Sequence, residues 1–186
     1  VLLAYVGRLA REKGMHVLLG AMHEVRRRAG NRVAFAMVGD GPADAQCRAG
    51  APDGTAFTGK LTGRELSEAY ASADLFAFPS ITETFGNVVL EAMASGLAVI
   101  APDIGATTEY ATPATTVQFA GRDPSSLADQ VIGLADDAAL RSRVGAAGLA
   151  MARARTWDAI FDQLVLDYRE AVAVSQTARE MSAMRR

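Results

Sequence analysis

The sequence predicts an α/β fold in which a doubly wound parallel sheet of six strands is followed by extra helices at the C-terminus. Three observations predict it. Short apolar runs alternate with amphipathic segments as far as residue 119, each run ends in Gly, Pro, Ser or Asp, and only helical patterns follow. Runs that are apolar on both faces are typical of strands buried between two helical layers, and alternating strands and helices favour parallel pairing.

Strands are expected where the apolar runs are short and continuous. The first run opens the chain at Leu2–Val6, and the runs at Leu75–Phe78 and Ala98–Ala101 are equally free of charge. The six predicted strands are Leu2–Val6, Val33–Val38, Thr55–Thr58, Leu75–Phe78, Ala98–Ala101 and Thr116–Phe119.

Helices are expected where apolar residues recur at three- and four-residue steps. One of them begins at Thr62-x-x-Glu65, which has the spacing of a capping box, and the last has Trp157, Phe161 and Leu164 on a broad apolar face. The predicted helices are Gly14–Arg28, Arg64–Ala73, Asn87–Ser95, Ser125–Asp136, Ala138–Ala154 and one from Thr156 towards Glu180.

Length and composition indicate one domain over residues 1–186, because half of the residues are apolar and 22% are charged. The net charge of −2 does not favour nucleic acid or an anionic membrane as a partner. A single cysteine, Cys47, excludes an internal disulfide framework and favours a cytoplasmic location. Uncharged stretches such as residues 92–102 are much shorter than the roughly 20 residues that a membrane-spanning helix needs.

The loop after the first strand, "GRLAREKG", has two cations beside the start of a helix. In an open parallel sheet, ligands bind beyond the carboxyl ends of the strands, where these loops converge. Gly7 allows a sharp turn, and Arg8 and Lys13 would reach over the sheet edge, which suits a diphosphate. The alternative is that both are ordinary surface cations. A second loop, "GDGP" at Gly39–Pro42, has the glycine spacing of a phosphate turn but is a weak signal alone.

The segment "ETFGNVVLE" places two carboxylates on either side of a predicted helix start. Gly86 and Asn87 begin the helix, whose first amides lack backbone partners and so attract anions. Glu91 should slant back towards that end, and Glu83 lies in the loop on its other side. A carboxylate can accept two hydrogen bonds from a vicinal diol such as that of a ribose. Alternatively, Glu91 pairs with an Arg and Glu83 is a solvated loop acid.

At these residues the sequence resembles the sugar-donor half of retaining nucleotide-sugar glycosyltransferases of group 1. These enzymes have the GT-B architecture, in which two Rossmann-like domains face each other across a cleft. Glu83 and Glu91 match the signature pair of the family, E-x7-E. The resemblance covers most of the chain through the ordered segments "VGRLAREKG", "MVGDGP", "FTGKLTGRELSEAYASADLFAFPS", "ETFGNVVLEAMASG" and a "TW" before a final helix with "DY".

The resemblance implies a role for each matching residue. Arg8 and Lys13 would hold the diphosphate and neutralise it as it leaves, while Glu83 would bind hydroxyls of the donated sugar and Glu91 those of the ribose. We therefore expect Arg8, Lys13 and Glu83 to be the catalytic set. The implied donor-binding positions are Gly7 in the loop after the first strand, Lys60 and Leu61 near the base, the backbone amides of Phe85, Gly86, Asn87 and Val88, and Glu91.

The resemblance also implies the chemistry. The new bond would keep the anomeric configuration of the donor, and the leaving phosphate would assist the incoming hydroxyl. No cofactor or metal is expected, because Arg and Lys carry the opposing charge, and neither His16 nor His23 has neighbours at ligand spacing. The first expectation for the donor is GDP-mannose, followed by UDP-glucose or another UDP-sugar.

Function depends on one residue that departs from the family pattern, Ala106, and on an acceptor domain that we expect outside this chain. The family often has Gly-Gly after the fifth strand, where this sequence has Gly105-Ala106, so a methyl group would crowd the sugar or phosphate site. The chain opens on an apolar run without Met, and we interpret it as a piece of a longer protein. An acceptor domain is expected before Val1; any peripheral membrane contact would come from that domain. We expect this chain alone to bind nucleotide without transferring sugar.

Two other functions are compatible with the same residues. A nucleotide-sugar epimerase of related two-domain fold would need acid and base groups that the sequence does not identify. A non-catalytic α/β binding module would use Glu83 and Glu91 only structurally.

Overall fold

The computed structural model describes residues 1–183, with side chains as far as residue 175, and contains the predicted parallel sheet. The sheet has six strands in the order β3-β2-β1-β4-β5-β6, and every neighbouring pair is parallel. The fold class predicted from the sequence is confirmed. The strands are β1 Leu2–Val6, β2 Ala34–Val38, β3 Ala56–Gly59, β4 Leu75–Ala77, β5 Ala98–Pro102 and β6 Val117–Phe119.

Seven α-helices lie within the described residues, and six of them match predicted ones closely. The helix that the sequence analysis missed, Asp44–Gly50, buries only Cys47 and is too short to show a helical period. The helices are α1 Met15–Ala29, α2 Asp44–Gly50, α3 Gly63–Ser72, α4 Asn87–Ala94, α5 Pro124–Asp136, α6 Ala138–Ala154 and α7 Trp157–Ala183.

The start of α3 corrects one expectation. Thr62 is the N-cap residue with extended backbone, as predicted, but its side chain makes no capping hydrogen bond. The capping box is therefore wrong as a source of stability. A side-chain cap is seen instead at α5, where the Asp123 carboxylate accepts from the Ser125 amide and Pro124 occupies the first turn.

The two faces of the sheet bury separate apolar clusters, as a doubly wound fold requires. Alternate residues of β1 divide between them: Leu3 and Tyr5 pack with α1 and α5, whereas Val6 packs with Phe76 and Val89 on the side of α3 and α4. Because both faces are covered at the centre of the sheet, β1, β4 and β5 are apolar along their length, which explains the continuous runs seen in the sequence.

The described chain forms two compact units. The first is Val1–Ala152 and contains the sheet; the second begins at Arg153 and contains α7. The prediction of one domain over residues 1–186 stays a prediction. Within the second unit the large apolar side chains of α7 are exposed, among them Trp157, Phe161 and Tyr168. A search of the described helices finds none with the length and apolarity to cross a bilayer.

Candidate active site

The candidate site lies at the switch point of the sheet, between β1 and β4. The chain adds strands on one side of β1 as far as β3, then crosses over and continues from β4 to β6 on the other side. The loops that leave β1 and β4 therefore diverge and open a crevice at their carboxyl ends. These are the two loops that the sequence analysis selected, "GRLAREKG" and "FPSITETFGN".

Two adjoining cavities occupy this crevice. The Glu91 cavity has a volume of about 420 Å³, and the Glu83 cavity has a volume of about 230 Å³. Both are lined by Val6, Gly7, Arg8 and Val88, which form their common wall. The Glu91 cavity adds Val38, Gly39, Asp40, Lys60, Leu61, Leu66 and Glu91, and the Glu83 cavity adds Tyr5, Lys13, Phe78, Ser80, Glu83, Gly86 and Asn87.

Ten of the eleven predicted site residues thus line one cavity or the other, and Phe85 is the exception. The Phe85 ring packs against the Tyr110 ring, with 5.2 Å between the ring centroids, and so stabilises the loop after β4. Glu83 lines the smaller cavity and Glu91 the larger one. The two acids therefore lie in adjoining parts of the same crevice, and their joint role in binding one ligand stays a prediction.

Both cations of the first loop form ion pairs. Arg8 lies 2.5 Å from a Glu12 carboxylate oxygen, and both side chains are largely exposed. Lys13 is paired with Glu83, and those side chains are only 25% and 21% exposed. The pKa of the Glu12 carboxyl lies below its usual value, first because of a hydrogen bond from its own backbone amide and then because of Arg8.

Tyr5 stabilises the loop after β1 through a hydrogen bond. Its hydroxyl donates to the Arg8 carbonyl at 3.0 Å, and only 4% of the residue is exposed. Burial, followed by the charge of Glu83, raises the pKa of Tyr5 far above its ordinary value. Tyr5 therefore stays a neutral hydrogen-bond donor and fixes the backbone that presents Arg8. From the sequence, Tyr5 is predicted only as part of an apolar strand.

Glu91 is held by a tyrosine and not by an arginine. The Tyr70 hydroxyl donates to Glu91 Oε2 at 2.8 Å, and Tyr70 is 3% exposed, whereas Glu91 itself is exposed. Burial, followed by the hydrogen bond and charge of Glu91, raises the pKa of Tyr70. One carboxylate oxygen of Glu91 is thereby fixed in position, and the group remains open to the cavity. A buried tyrosine usually needs a hydrogen-bond partner, which is the signal that could have revealed this contact.

The glycines of "GDGP" are explained by close packing of two loops. A Cβ at Gly39 would lie 1.9 Å from the Gly7 carbonyl oxygen, and one at Gly41 would lie 2.4 Å from that of Leu9. The loops also share backbone hydrogen bonds, including Leu9 N to Asp40 O at 2.8 Å. The segment therefore shapes the wall of the Glu91 cavity, and its glycines need no bound phosphate to account for them.

Ala106 does not narrow either cavity. Gly105 has a φ of 101°, and a Cβ there would approach the Ile81 carbonyl oxygen to 2.9 Å, so this position needs glycine. Ala106 begins a 3-10 helix at Ala106–Glu109 and lines neither cavity. The crowding expected from its methyl group is not seen at either one.

The acidic and histidine side chains of the described residues form no group of three or more His, Cys, Asp or Glu that could hold a metal ion. His23 Nε2 lies 2.9 Å from the Gly50 carbonyl oxygen, which gives it a structural contact. His16 lines a small apolar cavity with Cys47, away from the crevice.

Comparison with known proteins identifies the family. The sequence model described as "Glycosyl transferases group 1" matches residues 1–137. A GDP-mannose-dependent alpha-mannosyltransferase from Mycobacterium tuberculosis is 37% identical over 180 residues, which cover 96% of this chain and 45% of that protein. The chain thus spans less than half the length of that relative.

Solved structures agree on the fold. Sucrose-phosphate synthase from Thermosynechococcus elongatus superposes with a TM-score of 0.76 at 28% identity, covering 93% of this chain and 46% of that one. The C-terminal domain of a group 1 glycosyl transferase, LpcC from Francisella tularensis, gives a TM-score of 0.72 at 23% identity, covering 83% of this chain and 85% of that one. The match to the family model and the similarity to the mannosyltransferase, which agree with the sheet order and the crevice at its switch point, show that the chain belongs to the glycosyl transferases group 1 family.

Proposed function

We propose that this chain is the donor-binding domain of a retaining glycosyltransferase that uses a nucleoside-diphosphate sugar. The observation that carries the proposal is the pair of adjoining cavities, each with its own carboxylate, on either side of a wall that contains Gly7 and Arg8. A ligand that fits has two hydroxyl-bearing ends joined by an anionic centre. A nucleoside-diphosphate sugar has this form, with a ribose diol for Glu91 and a sugar for Glu83.

The diphosphate would replace carboxylates that the cations already bind. Lys13 is paired with Glu83, and Arg8 with Glu12, so a phosphate oxygen at either cation exchanges one anion for another. When Lys13 turns to phosphate, Glu83 becomes free to accept hydrogen bonds from the sugar. Donor binding and placement of the sugar are coupled through this one ion pair.

Leaving-group charge is the main electrostatic demand of the reaction. Arg8 and Lys13 would offset it as the bond to the diphosphate breaks, and we propose that no metal is required. The leaving phosphate would take the proton of the incoming hydroxyl on the same face of the sugar, which retains configuration. Gly86 is the N-cap residue of α4, and Asn87 and Val88 of its first turn line the Glu83 cavity, so the positive end of the helix dipole would add to the potential there.

GDP-mannose is the first donor proposed, and a UDP-sugar is the second. The mannosyltransferase relative is named as GDP-mannose-dependent and alpha-specific; the mannosyl linkage of GDP-mannose is itself alpha, so an alpha product supports retention. Since the chain spans under half of that relative, transfer and its acceptor are proposed for a whole protein with an N-terminal acceptor domain. The single buried Cys47 supports a cytoplasmic location.

Calorimetric titration with GDP, UDP and ADP, with and without Mg²⁺, tests the proposal. We expect one nucleoside diphosphate to bind without Mg²⁺, and Glu91→Ala to weaken it by about 1.5–3 kcal/mol, the contribution of hydrogen bonds to a charged group. Glu65→Ala is the matched control, because Glu65 is an exposed acid on α3 that lines neither cavity. Unchanged affinity in Glu91→Ala would remove the ribose role.

The family match favours a transferase over the epimerase and the non-catalytic module. Following the anomeric configuration of the product made by a whole protein separates transfer with retention from inversion and from epimerisation.

A further inference from the structure

Ser80 carries a buried hydroxyl that has no hydrogen-bond partner among the described residues. It follows β4 by three positions, is 2% exposed, and its Oγ makes no hydrogen bond there. Such a group has lost its hydrogen bonds to water without gaining a replacement, which destabilises the folded protein. Most buried polar side chains in folded proteins are hydrogen-bonded, so an exception calls for an explanation.

The cavity beside Ser80 supplies one. Ser80 lines the Glu83 cavity together with Lys13, Glu83 and Asn87. All three of these neighbours carry groups that bind phosphate or hydroxyl oxygens, yet Lys13 and Glu83 are already satisfied by each other. Ser80 differs from these three neighbours because its hydroxyl is buried and makes no hydrogen bond with any described residue.

Thr107 shows that burial alone does not assign a role. Its Oγ1 is also buried and also lacks a hydrogen-bond partner among the described residues, with 2% of the residue exposed. Thr107 lines neither the Glu91 cavity nor the Glu83 cavity. The two residues therefore differ in one respect: of the two, Ser80 lines the crevice, so a rotation of its side chain about χ1 brings the hydroxyl to a molecule bound there.

We propose that Ser80 is a further donor-binding residue, whose hydroxyl donates a hydrogen bond to an oxygen in the sugar-diphosphate part of the ligand. The inference rests on the proposed function and adds to it a residue outside the E-x7-E pair. The acceptor oxygen belongs to phosphate or to the transferred sugar, because the base and ribose are assigned to the Glu91 cavity. The stability forgone in the free protein is recovered when the donor binds.

Ser80→Ala should therefore affect the stability of the free protein and its affinity for the donor in opposite directions. Removing the unsatisfied hydroxyl should leave the unfolding temperature of the free protein equal to or above that of the wild type. The same change should weaken binding of GDP-mannose by about 3- to 10-fold, the loss expected for one neutral hydrogen bond, and should leave GMP within about twofold. The matched control, Thr107→Val, should also keep or raise the unfolding temperature but leave both affinities unchanged.

The experiment is calorimetric titration of the 186-residue chain with GDP-mannose, GDP and GMP, or with UDP-glucose, UDP and UMP if the wild type prefers uridine. Loss of affinity for both GDP-mannose and GDP, with GMP within about twofold, would assign the bond to the β-phosphate; loss for GDP-mannose alone would assign it to the sugar. Either result supports the proposal.

Several outcomes would overturn it. If Ser80→Ala binds like the wild type while Glu91→Ala is weakened, Ser80 has no role and the proposed function stands. If Ser80→Ala lowers the unfolding temperature, the hydroxyl has a partner within the protein. Equal weakening by Thr107→Val would trace the effect to loop packing. A wild type that binds none of the six nucleotides would remove both the inference and the proposed function.

Discussion

Replacing Tyr70 by Phe removes one hydroxyl and tests how Glu91 is positioned. The bond from Tyr70 to Glu91 Oε2 is 2.8 Å long and its acceptor is charged, which places it among the stronger hydrogen bonds. Glu91 is exposed, however, so water can replace the lost donor and no buried charge is left without a partner. We therefore expect a loss of only about 1 kcal/mol in the free energy of unfolding, or roughly 2–4 °C in the unfolding temperature.

The effect on binding should be selective for the ribose. Without Tyr70, Glu91 must be ordered by the ligand, which costs about 0.5–1.5 kcal/mol for one long side chain and weakens GDP by about 2- to 12-fold. A nucleotide without ribose hydroxyls, 2′,3′-dideoxy-GDP, does not engage Glu91 and should bind the variant as it binds the wild type. Calorimetry with both nucleotides measures the difference.

Tyr168→Phe is the matched control, because Tyr168 is 64% exposed on α7. It should change neither stability nor either affinity. Two results would refute the reasoning on Tyr70. One is an equal loss of affinity for GDP and 2′,3′-dideoxy-GDP in Tyr70→Phe, which would indicate a general distortion of the crevice. The other is unchanged affinity for GDP, which would show that Glu91 needs no support from Tyr70.

Three further predictions follow from the site. Gly39→Ala should destabilise the protein by at least about 2 kcal/mol, because its Cβ would overlap a backbone oxygen at 1.9 Å. Gly133→Ala, in open space on α5, should stabilise it by about 0.5–1 kcal/mol. Urea unfolding of both variants measures the two changes in the free energy of unfolding. Because the pKa of Tyr70 is raised in the folded protein, its contribution to stability is complete below pH 10 and falls as the pH rises beyond that. Urea unfolding between pH 8 and 11 should therefore show a steeper decline in the free energy of unfolding for the wild type than for Tyr70→Phe. Equal slopes for the two proteins would contradict this. Glu83→Gln releases Lys13 from its ion pair, so GDP should bind about 2- to 5-fold more tightly. The same change should remove the additional affinity that GDP-mannose has over GDP. If calorimetry finds that the variant binds GDP more weakly, competition between Glu83 and phosphate is excluded.

The centre of the sheet was predictable because its strands are buried on both faces. A strand such as Ala98–Pro102, buried along its whole length, appears in the sequence as an uninterrupted apolar run and needs no partner to be recognised. Helix α2 was not predictable in the same way, because seven residues with one buried side chain show no period. Thr62 shows a further limit: its spacing to Glu65 fits a cap, but its hydroxyl makes no such bond in the folded chain.

The candidate site was predictable by position and not by contact. The loops after β1 and β4 were identified because strand order brings them to one edge. The pairing of Lys13 with Glu83 joins residues that are 70 positions apart, and nothing local to either residue indicates it. The hydrogen bond of Tyr70 to Glu91 and the lack of a partner at the Ser80 hydroxyl were missed because only the packed structure fixes which groups lie near each hydroxyl.

The order of the strands also has a consequence for how the protein is made. Of the six strands, β1 is synthesised first and β2 follows soon afterwards, but the other neighbour of β1, β4, begins only at Leu75. At roughly 5–20 residues per second, translation leaves one apolar edge of β1 without its mate for several seconds. Nascent chains stalled before Leu75 should therefore be more prone to aggregate and to recruit chaperones than chains stalled after β5.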